Sequence, residues 1–293
     1  MKPRFLENPA HGRLAEWLGL GAALAWLLLA WSAAIAVDVF NAFGLQAWLD
    51  EHYSGFPLLW YRLFSEASPT EWLQWALLAT GCGFAVAAWL RARRQDDAAL
   101  QTGWFVLAAG LALMLIEDSL NLRHLFLIEH VRPILDALGL EVQHDRLIWE
   151  LLVYTTLAAV MATAAWLLIT RLVHRRLSLA VLVLAYASYG TVGFASAGRR
   201  IFEWQERLGE IILARFDLLS IPTWQTADEN LALAREQVEN FRFELSYLLV
   251  DHWLEESVEL LAAGLLLTAV ILLFRDARVG VPGKGPMKSA GEG

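Results

Sequence analysis

Apolar stretches that run for about twenty residues without a charge recur along this chain, and that is the length a helix needs to cross a bilayer. The bilayer core offers no water to backbone amides and carbonyls, so a crossing segment must satisfy them within itself. Helices do this, and so do closed barrels. A barrel, however, needs short segments of alternating polarity, and none stand out here. The expected architecture is an all-α polytopic membrane helical bundle of about six transmembrane helices. Its spans fall at about 17–37, 72–90, 103–122, 147–170, 177–197 and 250–274. The prolines, at 3, 9, 57, 69, 133, 222, 282 and 286, all lie outside these spans, where helix breakers belong. Composition agrees: 57% of residues are hydrophobic, 18% are charged, and the mean hydropathy is +0.45.

The basic residues set an orientation. Arg91, Arg93 and Arg94 follow the second span, Arg171, Arg175 and Arg176 the fourth, and Arg275 and Arg278 the sixth. Together with Lys2, Arg4 and Arg13 they alternate as the positive-inside rule requires of a chain with both ends in the cytoplasm. The segments read as inside carry 13 Lys and Arg against 6 Asp and Glu; those read as outside carry 10 against 25. The net charge of −8 is therefore an outward feature and argues against a nucleic-acid partner. The start fits either a signal peptide cut near Ala34–Ala36 or an uncleaved first span, and the length of the apolar run favours the latter. Lysine is confined to Lys2, Lys284 and Lys288, and the abundance of Arg, Ala, Leu and Trp reads as bacterial. The expected location is the bacterial inner (plasma) membrane. The single cysteine, Cys82, lies inside a span and says nothing about redox compartment.

Residues 1–278 read as a single transmembrane domain and 279–293 as a disordered cytoplasmic tail. The outside segments are more than linkers. Residues 45–65, with Trp48, Tyr53, Phe56, Trp60, Tyr61 and Phe64, read as an interfacial helix or turn on the outer leaflet. Residues 199–219 read as an amphipathic helix. A further helix begins near Thr226 or Asp228, and its apolar spacing through Leu231, Val238, Phe241, Leu245 and Leu248 runs without a breaker into span six. That predicts one helix of roughly 45 residues rising about 30 Å beyond the bilayer.

Polar groups crowd the outer ends of the spans. His252, Glu255 and Glu259 occupy positions three and four apart and so share one helical face, flanked by Asp251 and Glu256. Glu117, Asn121 and His124 form a stripe on span three, beside Asp118 and Arg123. Glu150 and Tyr154 lie one turn apart on span four, and Ser188, Thr191, Ser196 and Arg199 share a polar face of span five. Ionisable groups are costly in lipid and must face each other, a metal or water. Carboxylates and imidazoles converging from facing helices suit a divalent metal, Zn, Fe or Mn, with His124, His252, Glu255 and Glu259 as ligands. Glu117, Asp118, Glu150 and Arg199 are the candidates for acid/base catalysis. The plainer alternatives are ion pairs of Glu117 and Asp118 with Arg123, Arg199 or Arg200, helix-packing contacts for the Ser/Thr face, and a wetted helix face for the span-six acids.

The run Ile-Glu-Asp-Ser-Leu-Asn-Leu-Arg-His at 116–124 and the acid-rich Asp-His-Trp-Leu-Glu-Glu-Ser-Val-Glu at 251–259 resemble uncharacterised bacterial multi-pass membrane proteins. In those an acidic pair closes one span, His or Arg comes soon after, and the last span opens with acids. The resemblance covers about 103–274 and implies a similar bundle without an activity. Membrane hydrolases of the alkaline ceramidase and progestin-receptor-like group close on His-x-x-x-His; here His252 has Glu256 in the second place, a departure that weighs against a zinc amidase. A Gly-rich phosphate loop, His-Glu-x-x-His and Gly-x-Ser-x-Gly are absent.

Three readings of function stand at this level. The first is an outward-facing carboxylate/His site, metal-binding or acid/base, enzymatic on a lipid-type substrate. The second is a non-enzymatic anchor or sensor that meets membrane lipids, a protein partner or a second copy through its outer segments. The third is a transporter, against which the apolar inner halves of the spans weigh.

Overall fold

The computed structural model describes residues 15–52, 56–94, 97–138, 145–172, 176–237 and 244–279, with the side chains in these stretches except those at 123, 124, 128, 136, 145–147, 199–202, 278 and 279. The protein is 91% helical, with no strand among the described residues, and six of its helices are long and apolar enough to span a membrane. It is a multi-pass membrane protein. The spanning helices are α1 (Leu18–Asp38), α4 (Pro69–Ala92), α5 (Ala98–Leu120), α6 (Asp145–Arg171), α7 (Arg176–Phe202) and α11 (Glu256–Val279). Between α1 and α4 lie two short helices, α2 (Leu45–His52) and α3 (Leu59–Phe64). Between α7 and α11 lie α8 (Trp204–Arg215), α9 (Pro222–Gln237) and one turn, α10 (Leu245–Leu248).

Hydropathy decides which span is central. The last span has the highest mean hydropathy, 2.3, and 67% of its most apolar stretch is buried, against at most 39% in any other span. It packs on α1, α4 and α7, while α5 and α6 close the bundle outside α4 and α7. Small residues bring backbones together where α1 crosses α11. A Cβ on Gly264 would lie 2.8 Å from the Ala23 Cβ, and one on Gly19 would lie 2.7 Å from the Gly264 carbonyl oxygen. Such close approach is how helices gain contact in lipid, where the hydrophobic effect gives no drive to pair. The crossing also satisfies an early amide of α1, because Leu20 N donates to Thr268 Oγ1 at 3.0 Å. The two ends of the bundle differ in kind. One carries Arg91, Arg93, Arg94, Arg171 and Arg176, and there Arg275 pairs with Glu16 at 2.5 Å and with the buried Asp276 at 3.2 Å. The other is acidic and capped.

The cap is where the sequence pattern misleads most. The long continuous helix is not formed: α9 starts at Pro222, Thr226 and Asp228 lie inside it, and Glu244 is extended (φ −109°, ψ 155°) just before α10. Instead of rising into water, α9 lies back on the bundle. Trp224 is fully buried and donates its indole N–H to the Asp38 carbonyl at 3.0 Å, and Arg235 pairs with Glu244 at 2.6 Å across the gap between the helices. The amphipathic helix expected from residue 199 starts at Trp204, because α7 continues to Phe202 and Glu203 turns into the left-handed region (φ 46°). The 45–65 segment divides as well. Trp60 and Phe64 are fully buried in a second core with Trp224 and Trp253, so they do not lie on the leaflet. Trp60 stacks on Trp253 at 5.7 Å between centroids, with 7° between their planes. Asp38 fixes the entry to α3 by accepting Leu59 N at 2.7 Å and Trp60 N at 2.8 Å.

Widening the α1–α11 crossing should destabilise the fold. Gly264→Val is expected to cost about 1–3 kcal/mol by overpacking and to lower the midpoint of thermal unfolding in detergent. Gly21→Val, whose Cβ meets nothing within 4 Å, is the control and should stay within about 0.5 kcal/mol of the wild type.

Candidate functional site

A turn closed by i→i+5 hydrogen bonds, Leu249–Glu255, joins α10 to α11. Such π turns admit an extra residue and rotate the helix on one side of them relative to the helix on the other. The face shared by His252, Glu255 and Glu259 in a regular helix is therefore split, and each residue meets a different neighbour. His252 lies edge-on to the Tyr61 ring, 5.4 Å between centroids. Glu255 Oε2 accepts from Gln205 Nε2 at 2.9 Å. Glu259 Oε2 accepts from Gln74 Nε2 at 3.1 Å. Among the described residues no group of three or more His, Cys, Asp or Glu is placed to hold a metal ion. The side chains of His124 and Arg199, the remaining metal ligand and a candidate catalytic residue, lie outside the described ones, as do those of Arg123 and Arg200.

What converges instead is a set of carboxylates from α4, α5 and α11 around Gln74. This glutamine is 1% exposed, and its amide N–H group bridges Glu259 and Asp118, the latter at 2.9 Å. Asp118 Oδ2 also accepts Trp75 Nε1 at 2.8 Å, so neighbouring residues of α4 both serve one oxygen of α5. Glu71, one turn before Gln74, accepts the Ala67 amide. Glu256 sits among them, within electrostatic reach of Glu259, Glu71, Asp118 and Glu255. Its Oε2 is buried with no hydrogen-bond partner among the described residues, and so are the hydroxyl of Tyr189 from α7 and the Gln74 Oε1. Tyr189 is aimed at the same group and feels the charges of Asp118, Glu259 and Glu256. An orphaned buried polar atom costs about 1–3 kcal/mol, and this site gathers several of them beside concentrated negative charge.

A second glutamine repeats the device toward the cap. Gln205, fully buried at the start of α8, bridges Asp251 Oδ1 at 3.1 Å and Glu255 Oε2 at 2.9 Å. The acids that open the last span are thus shared out: Asp251 and Glu255 to the cap helix α8, Glu256 and Glu259 to the bundle.

The other expected residues fall elsewhere. Glu150 is buried in α6 at 3% exposure, and Tyr154 packs beside Gly193 of α7. The stripe expected through Glu117, Asn121 and His124 ends early, because α5 stops at Leu120 and Asn121 takes a left-handed cap (φ 47°). Ser188 and Thr191 bond back to the carbonyls of Leu184 and Ala187 in their own helix, which accounts for that face as local structure. Sequence reasoning passed over Glu71, Gln74, Trp75, Tyr189 and Gln205. The available signal was Gln74, a lone amide inside the apolar run of the second span, with Glu71 one turn earlier on the same face.

Fold and site together define a polytopic membrane protein with a partly buried carboxylate cluster at one end of its bundle. No protein-family model matches the chain, and no curated protein or solved structure matches it.

If Gln74 is the neutral bridge between two acids, its loss should be felt through them. Gln74→Leu is expected to cost about 1–3 kcal/mol in thermal unfolding, the usual penalty for stranding buried acceptors. Adding Glu259→Leu should recover part of that loss, whereas strictly additive costs would show that the two residues do not interact.

Proposed function

We propose that this protein holds a proton among Glu71, Asp118, Glu256 and Glu259, and does acid/base work there from its acidic end. The observation that carries this reading is Glu256, a buried carboxylate oxygen without a hydrogen-bond partner among the described residues, inside a ring of other acids. Each buried negative charge raises the cost of the next, and neutral N–H donors such as Gln74 and Trp75 offset only part of that cost. The atoms left unsatisfied in the cluster, Glu256 Oε2, Gln74 Oε1 and the Tyr189 hydroxyl, are all oxygens, a set that suits a shared proton. The site is read as one-sided. No Asp, Glu, Lys, Arg or His occurs in the described spans between this cluster and the Glu16, Arg91 and Arg275 level at the opposite end. Acid/base chemistry on a lipid-type substrate is the enzymatic use of such a site.

A second reading, attachment of a protein partner or a second copy, is favoured by the folded aromatic cap, which turns the acidic-end segments into a rigid head. The distribution of arginines supports cytoplasmic termini and a cluster on the outer side of a bacterial inner membrane.

Glu256→Gln separates the first reading from the second. In the variant one negative charge leaves the cluster while its shape is kept. The variant is expected to unfold at a higher temperature than the wild type, with a gap that widens as pH rises and the remaining acids ionise. Identical pH profiles for the two proteins would remove the proton-site reading and leave the partner-binding one.

A further inference from the structure

The turn that leaves α1 is built against its own backbone preferences. Asn41 (φ 46°), Phe43 (φ 61°) and Gly44 (φ 66°) all occupy the left-handed region within four residues. Glycine adopts it freely and asparagine readily, but phenylalanine does so at a steric cost. The conformation is nevertheless fixed on every side. Gly44 N donates to the Asn41 carbonyl at 3.1 Å, and Gln46 N donates to Asn41 Oδ1 at 3.3 Å. The Gln46 amide reaches the Asp38 carbonyl at 3.2 Å and Thr223 Oγ1 at 2.7 Å, tying the turn to α9. Leu49, 4% exposed, anchors α2 beneath it.

This scaffold presents bare hydrocarbon. Phe43 is 97% exposed and Phe40 75%, with Trp48 and Leu45 also exposed. The chain thus bears both the strain of a left-handed phenylalanine and the exposure of its ring, and neither is offset by a contact among the described residues. Strain that survives in a well-tied turn is a sign of function, and the compensation has to come from outside. The surface is also continuous with one whose occupant is known by its nature. Phe40 lies two residues beyond the end of α1, whose outward residues Leu28, Leu29 and Ile35 face lipid in a membrane-spanning bundle. On the opposite side of α2 from Trp48, Asp50 is exposed and requires water.

We propose that Phe40, Phe43, Leu45 and Trp48 form a preorganised wedge that enters the boundary between acyl chains and headgroups of the leaflet at the acidic end. Its partner is the lipid itself. Phenylalanine and tryptophan suit that depth, where apolar rings are buried and an indole N–H reaches polar groups. The wedge takes over the role that the pattern suggests for residues 45–65, half of which the cap core absorbs. It is independent of the proposed proton site and stands or falls separately from it.

The test places a probe on the turn. In full-length protein with Cys82→Ala, which removes the only cysteine, Phe43→Cys is labelled with an environment-sensitive fluorophore. It is reconstituted at one chain per lipid nanodisc, with Asp50→Cys as the comparison site. The expected result is blue-shifted emission at position 43 that is lost to lipids carrying a nitroxide near the headgroup and resists aqueous iodide, with the reverse at position 50. Quenching of the position-43 probe by iodide, or insensitivity to lipid nitroxide, would overturn the proposal. Should the labelled variant fail to fold, Phe40→Ser with Phe43→Ser provides the second reading. That pair should lower the unfolding temperature in nanodiscs and leave it unchanged in detergent; equal loss in both media would overturn the wedge.

Discussion

Burial of the last span in the middle of the bundle is the constraint on which most of this structure depends. That helix is the most hydrophobic stretch of the chain, and four-residue steps of leucine and alanine leave it no polar side to turn outward. It is covalently continuous with the most acidic stretch, Asp251 to Glu259. Drawing the apolar part to the centre drags the acidic part to the centre of one end, where each carboxylate must find a partner or remain an expense to the fold. The π turn at Leu249–Glu255 is the local response. By rotating Asp251 and Glu255 away from Glu259, it divides one crowded face between the cap and the bundle.

Both halves solve the problem with a glutamine. A glutamine amide carries two N–H donors and no charge, so one side chain can hold two carboxylates at hydrogen-bond distance without adding a cation to be desolvated. Gln74 does this for Asp118 and Glu259, and Gln205 for Asp251 and Glu255. The cost is a carbonyl oxygen on each amide that finds no donor among the described residues. Glu256, between the two bridges, is served by neither. Its Oε2 is left without a hydrogen-bond partner among the described residues, and that oxygen is what the proposed proton site rests on.

The aromatic cap gives this end of the molecule its rigidity. Trp31 donates to Ser257 from α1, while Trp60, Trp224 and Trp253 stack across three separate chain segments. Asp38 is the hinge point of that assembly: its carboxylate caps α3 and its carbonyl receives Trp224 and Gln46. The same residue therefore fixes the cap over the carboxylate cluster and the turn that carries Phe43.

The existence of the spanning helices, their approximate ends and the gathering of acids toward one end were all legible in the sequence, because bilayer thickness and the cost of burying charge act on short, contiguous windows. Glu259 and Asp118 were legible as polar residues at the outer ends of their spans for the same reason. Which acids meet was not legible. That depended on a π turn that shifts register by one residue, on a left-handed cap at Asn121, and on Gln74 arriving from a distant span, and none of these leaves a periodic trace. The long helix expected from Thr226 into the membrane failed for a related reason. Its apolar spacing was real, but it recorded burial of Leu231, Leu245 and Leu248 against the cap core and not continuity of the helix. Local hydropathy by itself determined that this chain crosses a membrane and at which levels its polar groups lie. Only tertiary packing decided which of those groups face one another, since a side chain's neighbours are set by the rotation of each helix about its axis, and contacts far apart in sequence fix that rotation.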